Sequence, residues 1–236
     1  MYRPSYRLKN NGAPVLSTKE IEAIAERFIL DFHPEALENP MELDIDSFAF
    51  NYLGLKQDFQ YLSHNGIYLG MTVFNDTDRV PVYIPETKQA EYISAEARTV
   101  IIDNRLLEDN QETRYRYTVG HEVGHDIFHS EYFAYNPNQL SLLDEPKEPM
   151  IQCRVAIPKD HRRAMDDWDD RDWMEWHANR FAAAFLMPRK MVYKLVNSVS
   201  KDLPWVVEAS YIRAVARTFN VSWEAAENRL NSLGIG

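Results

Sequence analysis

Tyr117-Thr118-Val119-Gly120-His121-Glu122-Val123-Gly124-His125-Asp126-Ile127-Phe128-His129 is the stretch on which the reading of this chain turns. It contains the pattern H-E-x-x-H at His121 to His125. Residues four apart on a helix lie about 40° apart on one face and one turn apart in height. On a helix, His121 and His125 therefore present both imidazoles to one ion at about 2.0–2.1 Å. Glu122 sits a quarter-turn round, within reach of water at that ion without ligating it. A loop fixes no such geometry, and the sequence predicts a helix from Thr113 to His129. Gly124 removes a side chain between the two imidazoles, so that another strand or loop can come close.

A catalytic zinc site takes three protein ligands and keeps a fourth position open. His129 continues the i, i+4 series, but it lies about 12 Å along the helix axis from His121, too far to share an ion. The continuation H-E-x-x-H-x-x-G-x-x-H is absent, because Phe128 and Glu131 occupy its Gly and third His positions. Glu175 is the expected third ligand. Asn179, four residues later on the same face, is placed to hydrogen-bond a ligand imidazole and fix its ring. Ala178, Ala182 and Ala183 are small enough for this helix to pack closely on the His helix. Two imidazoles and a carboxylate suit zinc. His177 is a rival ligand, but it lies about 200° round the helix from Glu175, so the two do not serve one ion. Asp144, Glu145, Glu148 and His161 are further rivals, each read more simply as a solvated loop residue. His33 and His64 stand beside turns and read as structural or exposed. Cys153 reads as a small buried residue, with a latency ligand as the alternative.

Upstream, Ser17 and Glu20 form a capping box ahead of Ile21, Ile24, Ala25, Phe28, Ile29 and Phe32, an amphipathic helix closed at His33-Pro34. A short helix is expected from Asp46 to Leu53, ending at Gly54. Phe59–Leu62, Ile67–Phe74, Arg79–Ile84 and Arg98–Asp103 read as strands between turn-forming pieces, giving a small sheet of three or four strands. Downstream, Asn136–Pro158 is an irregular, Pro-containing excursion with a short strand expected at Ile151–Ile157. Five aspartates between Asp166 and Asp172 precede a helix over Trp173–Met187. Helices at Lys190–Val199, Val206–Phe219 and Ser222–Leu233 follow. The fold class is α+β.

The 236 residues are 45% hydrophobic and 26% charged, enough for a sizeable core and unlike a disordered chain. A formal net charge of −10 excludes generic attraction to phosphate backbones. With one cysteine, intrachain disulfides and Cys-rich zinc fingers are excluded. Nothing approaches the ~18-residue apolar run of a membrane span, and the basic start MYRPSYRLKN has no apolar region behind it. A soluble cytoplasmic protein is expected.

The chain resembles the ImmA/IrrE family of bacterial and phage metallopeptidases. The resemblance rests on Tyr117–His125, on Met174-Glu175-Trp176-His177-Ala178-Asn179-Arg180-Phe181-Ala182-Ala183-Ala184-Phe185-Leu186-Met187-Pro188, and on Phe219-Asn220-Val221-Ser222 followed by Ala225, Ala226, Arg229 and Leu230. It runs from about residue 15. It implies a zincin-like core over 1–200 and a C-terminal helical, helix-turn-helix-like segment over 201–236. It also implies one Zn2+ held by His121, His125 and Glu175, with Glu122 as the catalytic carboxylate. The implied partner is a protein substrate, such as a helix-turn-helix repressor of a stress response or mobile element. The family often has Gln or Glu where this chain has His177, which directs attention to a role for that residue around the metal.

The expected chemistry is single-zinc peptide hydrolysis, with Tyr115, Tyr117, Tyr193 and His161 open as oxyanion donors. Residues 206–236 hold three Arg and three Glu, no basic stripe, so packing or protein docking is expected rather than DNA binding. The competing reading is a regulatory or sensor protein with a structural zinc site and no proteolytic turnover. A peptide deformylase fits less well, since its Cys ligand precedes the His helix and Cys153 follows it.

Overall fold

The helix α2, Glu112–Phe133, is buried almost all round from Arg116 to Phe133, polar side chains included, and the other elements are arranged about it. The computed structural model describes residues 1–134, 150–154, 165–199 and 207–235. A two-stranded ribbon, β1 (Arg7–Leu8) and β2 (Pro14–Val15), precedes α1, Thr18–Phe32. The Ser17–Glu20 capping box is present, and His33-Pro34 ends the helix. Where a short α-helix was expected, Ser47–Tyr52 forms a wider turn, with Leu53 N–H bonded to Phe48 O. Gly54 follows it at φ +70°.

The sheet comprises β3 (Lys56–Gln60), β4 (Tyr68–Val73), β7 (Thr99–Asp103) and β8 (Met150–Arg154), in the order β3-β7-β4-β8. The pair β3–β7 is parallel, and β4 runs antiparallel to both β7 and β8. Side chains alternate across β4. Gly70 and Thr72 meet Glu122 of α2, while Met71 and Val73 join a second cluster with Val80, Val82 and Ile101. That second face is covered by a hairpin of β5 (Thr77–Ile84) and β6 (Gln89–Ala95). β6 escaped the sequence reading because its side chains are mostly exposed and polar, and only the partner strand gives it its conformation.

Behind α2 lies α3, Asp170–Leu186, started by Asp169 and its capping box with Asp172. Asp166 and Asp167 precede the helix as expected, whereas Asp169 caps it and Asp170 and Asp172 lie within its first turn. α1 packs on α3 through an aromatic cluster in which Phe48 stacks on Phe185 at 4.1 Å. α4 (Arg189–Ser198), α5 (Val207–Phe219) and α6 (Trp223–Ser232) complete the helical side, with Ser222 capping α6. Ile212, Val215, Phe219 and Leu230 of α5 and α6 belong to the same apolar core as α1 and α3. Two buried arginines tie the pair in: Arg229 holds Glu22 and the Met187 carbonyl, and Arg116 holds the Asn220 and Leu43 carbonyls. The positions 155–157 of the expected strand and the boundary near residue 200 lie outside the described residues. No helix among the described residues is long and apolar enough to cross a membrane.

Candidate metal centre

The centre exists because α2 and α3 approach backbone to backbone. A Cβ at Gly124 would stand 2.9 Å from Ala178 Cα, so this position admits no larger residue without moving a helix. The neighbour that Gly124 admits is a helix, not the strand or loop expected. At this separation Glu175, about one turn before Ala178, reaches the two imidazoles of α2.

His121 Nε2 and His125 Nε2 are 2.9 Å apart, and the Glu175 carboxylate oxygens lie 3.3 Å and 3.4 Å from them. One donor atom from each residue falls within 4.8 Å of the others. A tetrahedral ion bonded at 2.0–2.1 Å would hold its donors about 3.4 Å apart. The three side chains fit such an ion. His121 and His125 are sealed from solvent, whereas the Glu175 side chain is 36% exposed, so the cluster is open on the Glu175 side. Burial works against ionisation of Glu175, but the two imidazoles outweigh it and hold the carboxyl well below its usual range. Burial lowers the pKa of His125 and favours the neutral ring that a ligand needs.

Asn179 bridges the two helices' contributions. Its Oδ1 is 3.2 Å from His121 Nδ1, and its Nδ2 donates to the Glu175 carbonyl at 2.9 Å. An oxygen acceptor at that place puts the His121 proton on Nδ1 and turns the Nε2 lone pair toward His125 and Glu175, where an ion would sit.

Glu122 is wholly buried and points at β4. Thr72 Oγ1 donates to its Oε2 at 2.6 Å, while Oε1 has no hydrogen-bond partner among the described residues. Burial pushes the Glu122 pKa up to about 7, against the pull of His121 and of the Thr72 hydrogen bond. One oxygen is anchored and the other, buried against Gly70, has no hydrogen-bond partner among the described residues, in a group that exchanges its proton near neutrality. That is the requirement for proton transfer to and from a reacting molecule.

The remaining candidates fall elsewhere. Tyr115 OH donates to Asp46 at 2.7 Å, and Tyr193 OH donates to the Leu233 carbonyl at 2.9 Å. Tyr117 OH meets the Asn179 carbonyl at 3.2 Å, on the α3 side of the cluster. His33 caps α1, and His64 is exposed in a turn. Cys153 stands in β8 opposite Gly70. Asp144, Glu145, Glu148 and His161 lie outside the described residues. His177 is buried between α3 and α2, where it stacks on His129 rather than joining the cluster.

Two positions escaped the sequence reading, and a third, His129, was weighed there only as a ligand. Gly70 and Thr72 approach Glu122 only through tertiary packing, and a β-strand carries no sign of it. His129 was legible in principle: it stands one turn beyond His125, and the two Nδ1 atoms are 2.8 Å apart.

Residues 153–231 match the family model Peptidase_M78, described as the IrrE N-terminal-like domain, and the match supports membership of the ImmA/IrrE family. The matched segment carries Glu175 and Asn179, and the helix with His121 and His125 precedes it. No curated protein matches the chain.

Proposed function

We propose, from the ImmA/IrrE membership that the match supports, that the protein is a zinc-dependent endopeptidase acting on a protein substrate in the cytoplasm. Its core is read as zincin-like, with the C-terminal segment from 201 as an appended packing or protein-docking unit. The observation that carries the proposal is the convergence of His121, His125 and Glu175 from two helices beside the buried carboxylate of Glu122.

His121 Nε2, His125 Nε2 and a Glu175 oxygen would hold the ion. When bound, zinc supplies Lewis acidity, which polarises a carbonyl and makes water a better nucleophile near neutral pH. Glu122 Oε1 takes a proton from the water that attacks the scissile carbonyl carbon. The C–N bond then breaks, and Glu122 returns the proton to the departing amine nitrogen. Thr72 holds the other carboxylate oxygen, so the proton-carrying oxygen keeps one position throughout. Asn179 keeps the His121 ring in its ligand tautomer. The substrate class proposed is a helix-turn-helix repressor of a stress response or mobile element.

The test is incubation of the zinc-loaded protein with helix-turn-helix repressors encoded beside its gene, with Glu122→Gln as the comparison. The wild type should cleave one of them, and the variant should keep its zinc and cleave none. Cleavage by Glu122→Gln at the wild-type rate rejects the role of Glu122. Zinc binding without cleavage of any tested repressor favours a non-proteolytic metal-holding protein.

A further inference from the structure

We infer that His129, backed by His177, is the positioning residue that fixes the metal-facing tautomer of His125; the inference rests on the metal centre described above. His125 Nε2 faces His121 and Glu175, while its Nδ1 is 2.8 Å from Nδ1 of His129. Two imidazole nitrogens at that distance share a single proton. For Nε2 to keep its lone pair for an ion, the proton belongs to His125 Nδ1, which donates to His129 Nδ1.

The consequence passes along the row. A neutral His129 that accepts at Nδ1 carries its own proton on Nε2. That nitrogen has no hydrogen-bond partner among the described residues, and neither has Nδ1 of His177. The two rings stack at 5.8 Å with 29° between their planes, 0% and 1% exposed. His177 bonds the Leu16 carbonyl through its other nitrogen, which leaves Nδ1 as an acceptor. His129 and His177 thus stack in a place closed to solvent, with no hydrogen bond between these two nitrogens. The protons are thereby assigned to His125 Nδ1, His129 Nε2 and His177 Nε2.

The two ligand imidazoles are thus fixed by different groups. His121 has the amide of Asn179 on α3, and His125 has a neutral imidazole on its own helix. An outer partner of a ligand imidazole typically changes metal affinity by about 10–100-fold.

The experiment compares His129→Asn with His129→Leu. Asn places Oδ1 where His has Nδ1, so it still accepts from His125; Leu cannot. Zinc affinity is measured by competition with a chelating dye, and the absorption bands of the Co2+-loaded proteins report the ligand field. Circular dichroism and thermal unfolding of the metal-free forms establish that each variant is folded. The expected result is affinity close to wild type for His129→Asn and a loss of about 10–100-fold for His129→Leu, with altered Co2+ bands. Wild-type affinity in His129→Leu overturns the inference while leaving the metal centre intact. Equal losses in both variants overturn it too, because they indicate packing rather than the hydrogen bond. Should His129→Leu not fold, His129→Gln replaces it. Its amide lies one bond further out, so it should bind weakly, and affinity equal to His129→Asn overturns the inference. Failure of the wild type to bind either ion removes the metal centre and this inference together.

Discussion

Gly70 stands directly over Glu122: a Cβ at residue 70 would lie 2.9 Å from Glu122 Cγ, and nearer still to the carboxylate oxygen. Glu122 has nowhere to retreat, since it is fully buried and its other oxygen is held by Thr72. Gly70→Ala should therefore displace the carboxylate while leaving His121, His125 and Glu175 in place. A displacement of about 1 Å typically costs on the order of 10²-fold in rate. Cleavage assays and zinc titration of the same variant check this: the rate should fall by about that factor and the affinity should not change.

Thr72 acts on the same carboxylate through its hydroxyl. The hydrogen bond to Oε2 opposes the upward push of burial on the Glu122 pKa. Thr72→Val keeps the shape and removes the hydroxyl, so Glu122 should hold its proton to higher pH. The acidic limb of the cleavage profile should move up, and the rate near pH 7 should fall. A buried hydrogen bond to a charged group contributes about 1.5–3 kcal/mol, or roughly one to two pH units. Thr72→Ser should restore the wild-type profile. An unmoved acidic limb in Thr72→Val would show that the hydroxyl does not tune Glu122.

How much of this was legible beforehand follows from the range of each interaction. The His pair, Glu175 and Asn179 repeat at four-residue spacing on helices, and that spacing is local. Helix ends marked by Ser17, Ser222 and Gly54 were equally local. Gly70 and Thr72 are ordinary strand residues until α2 is laid against them. β6, reading Gln89-Ala90-Glu91-Tyr92-Ile93-Ser94-Ala95, has no buried face to announce it. α2 itself has almost no polar face, because its polar residues are the centre. An amphipathic pattern, the usual sign of a core helix, is therefore weak there.

In the metal-free protein, Glu122 should make stability fall as pH rises. Its folded pKa is raised to about 7 from the ordinary 4.5, so the folded state binds the proton more tightly than the unfolded chain does. The destabilisation is absent below about pH 4.5, grows through the interval, and is complete above about pH 7. At 1.36 kcal/mol per pKa unit it amounts to roughly 3 kcal/mol. The buried histidines act in the opposite sense, losing stability as pH falls below about 6.5. The comparison that isolates Glu122 is urea unfolding of wild type and Glu122→Gln. Relative to its effect at pH 4.5, Glu122→Gln should become stabilising at pH 8. A pH-independent difference between the two would contradict the raised pKa.

Arg229 and Glu22 lock α6 onto α1. The guanidinium is 1% exposed, its partner 13%, and its Nε donates to the Met187 carbonyl at 3.0 Å. Arg229→Met should leave Glu22 and that carbonyl without their donor, at a cost of about 3–5 kcal/mol. Glu22→Gln combined with Arg229→Met should cost less than the sum of the two single changes. Thermal unfolding of the four proteins provides the cycle, and strict additivity would mean that the pair is not coupled.

Gly124 offers the strictest test of the crossing that assembles the centre. Its substituted Cβ would meet Ala178 Cα at 2.9 Å and the Ala178 carbonyl oxygen at 3.2 Å, both backbone atoms that no rotamer can move. Gly124→Ala must push α3 away from α2, and Glu175 moves with it. Overpacking of this kind costs about 1–3 kcal/mol, and zinc affinity should fall with stability. Gly120 lies one turn earlier, where a Cβ would meet Ala182 Cβ at 3.3 Å, a side-chain contact. Ala182→Gly should therefore relieve Gly120→Ala, whereas Ala178→Gly should leave Gly124→Ala defective, because the obstructing atoms remain. Zinc titration of the two double variants separates the cases. Rescue of Gly124→Ala by Ala178→Gly would mean that the helices are held apart by side chains rather than meeting backbone to backbone.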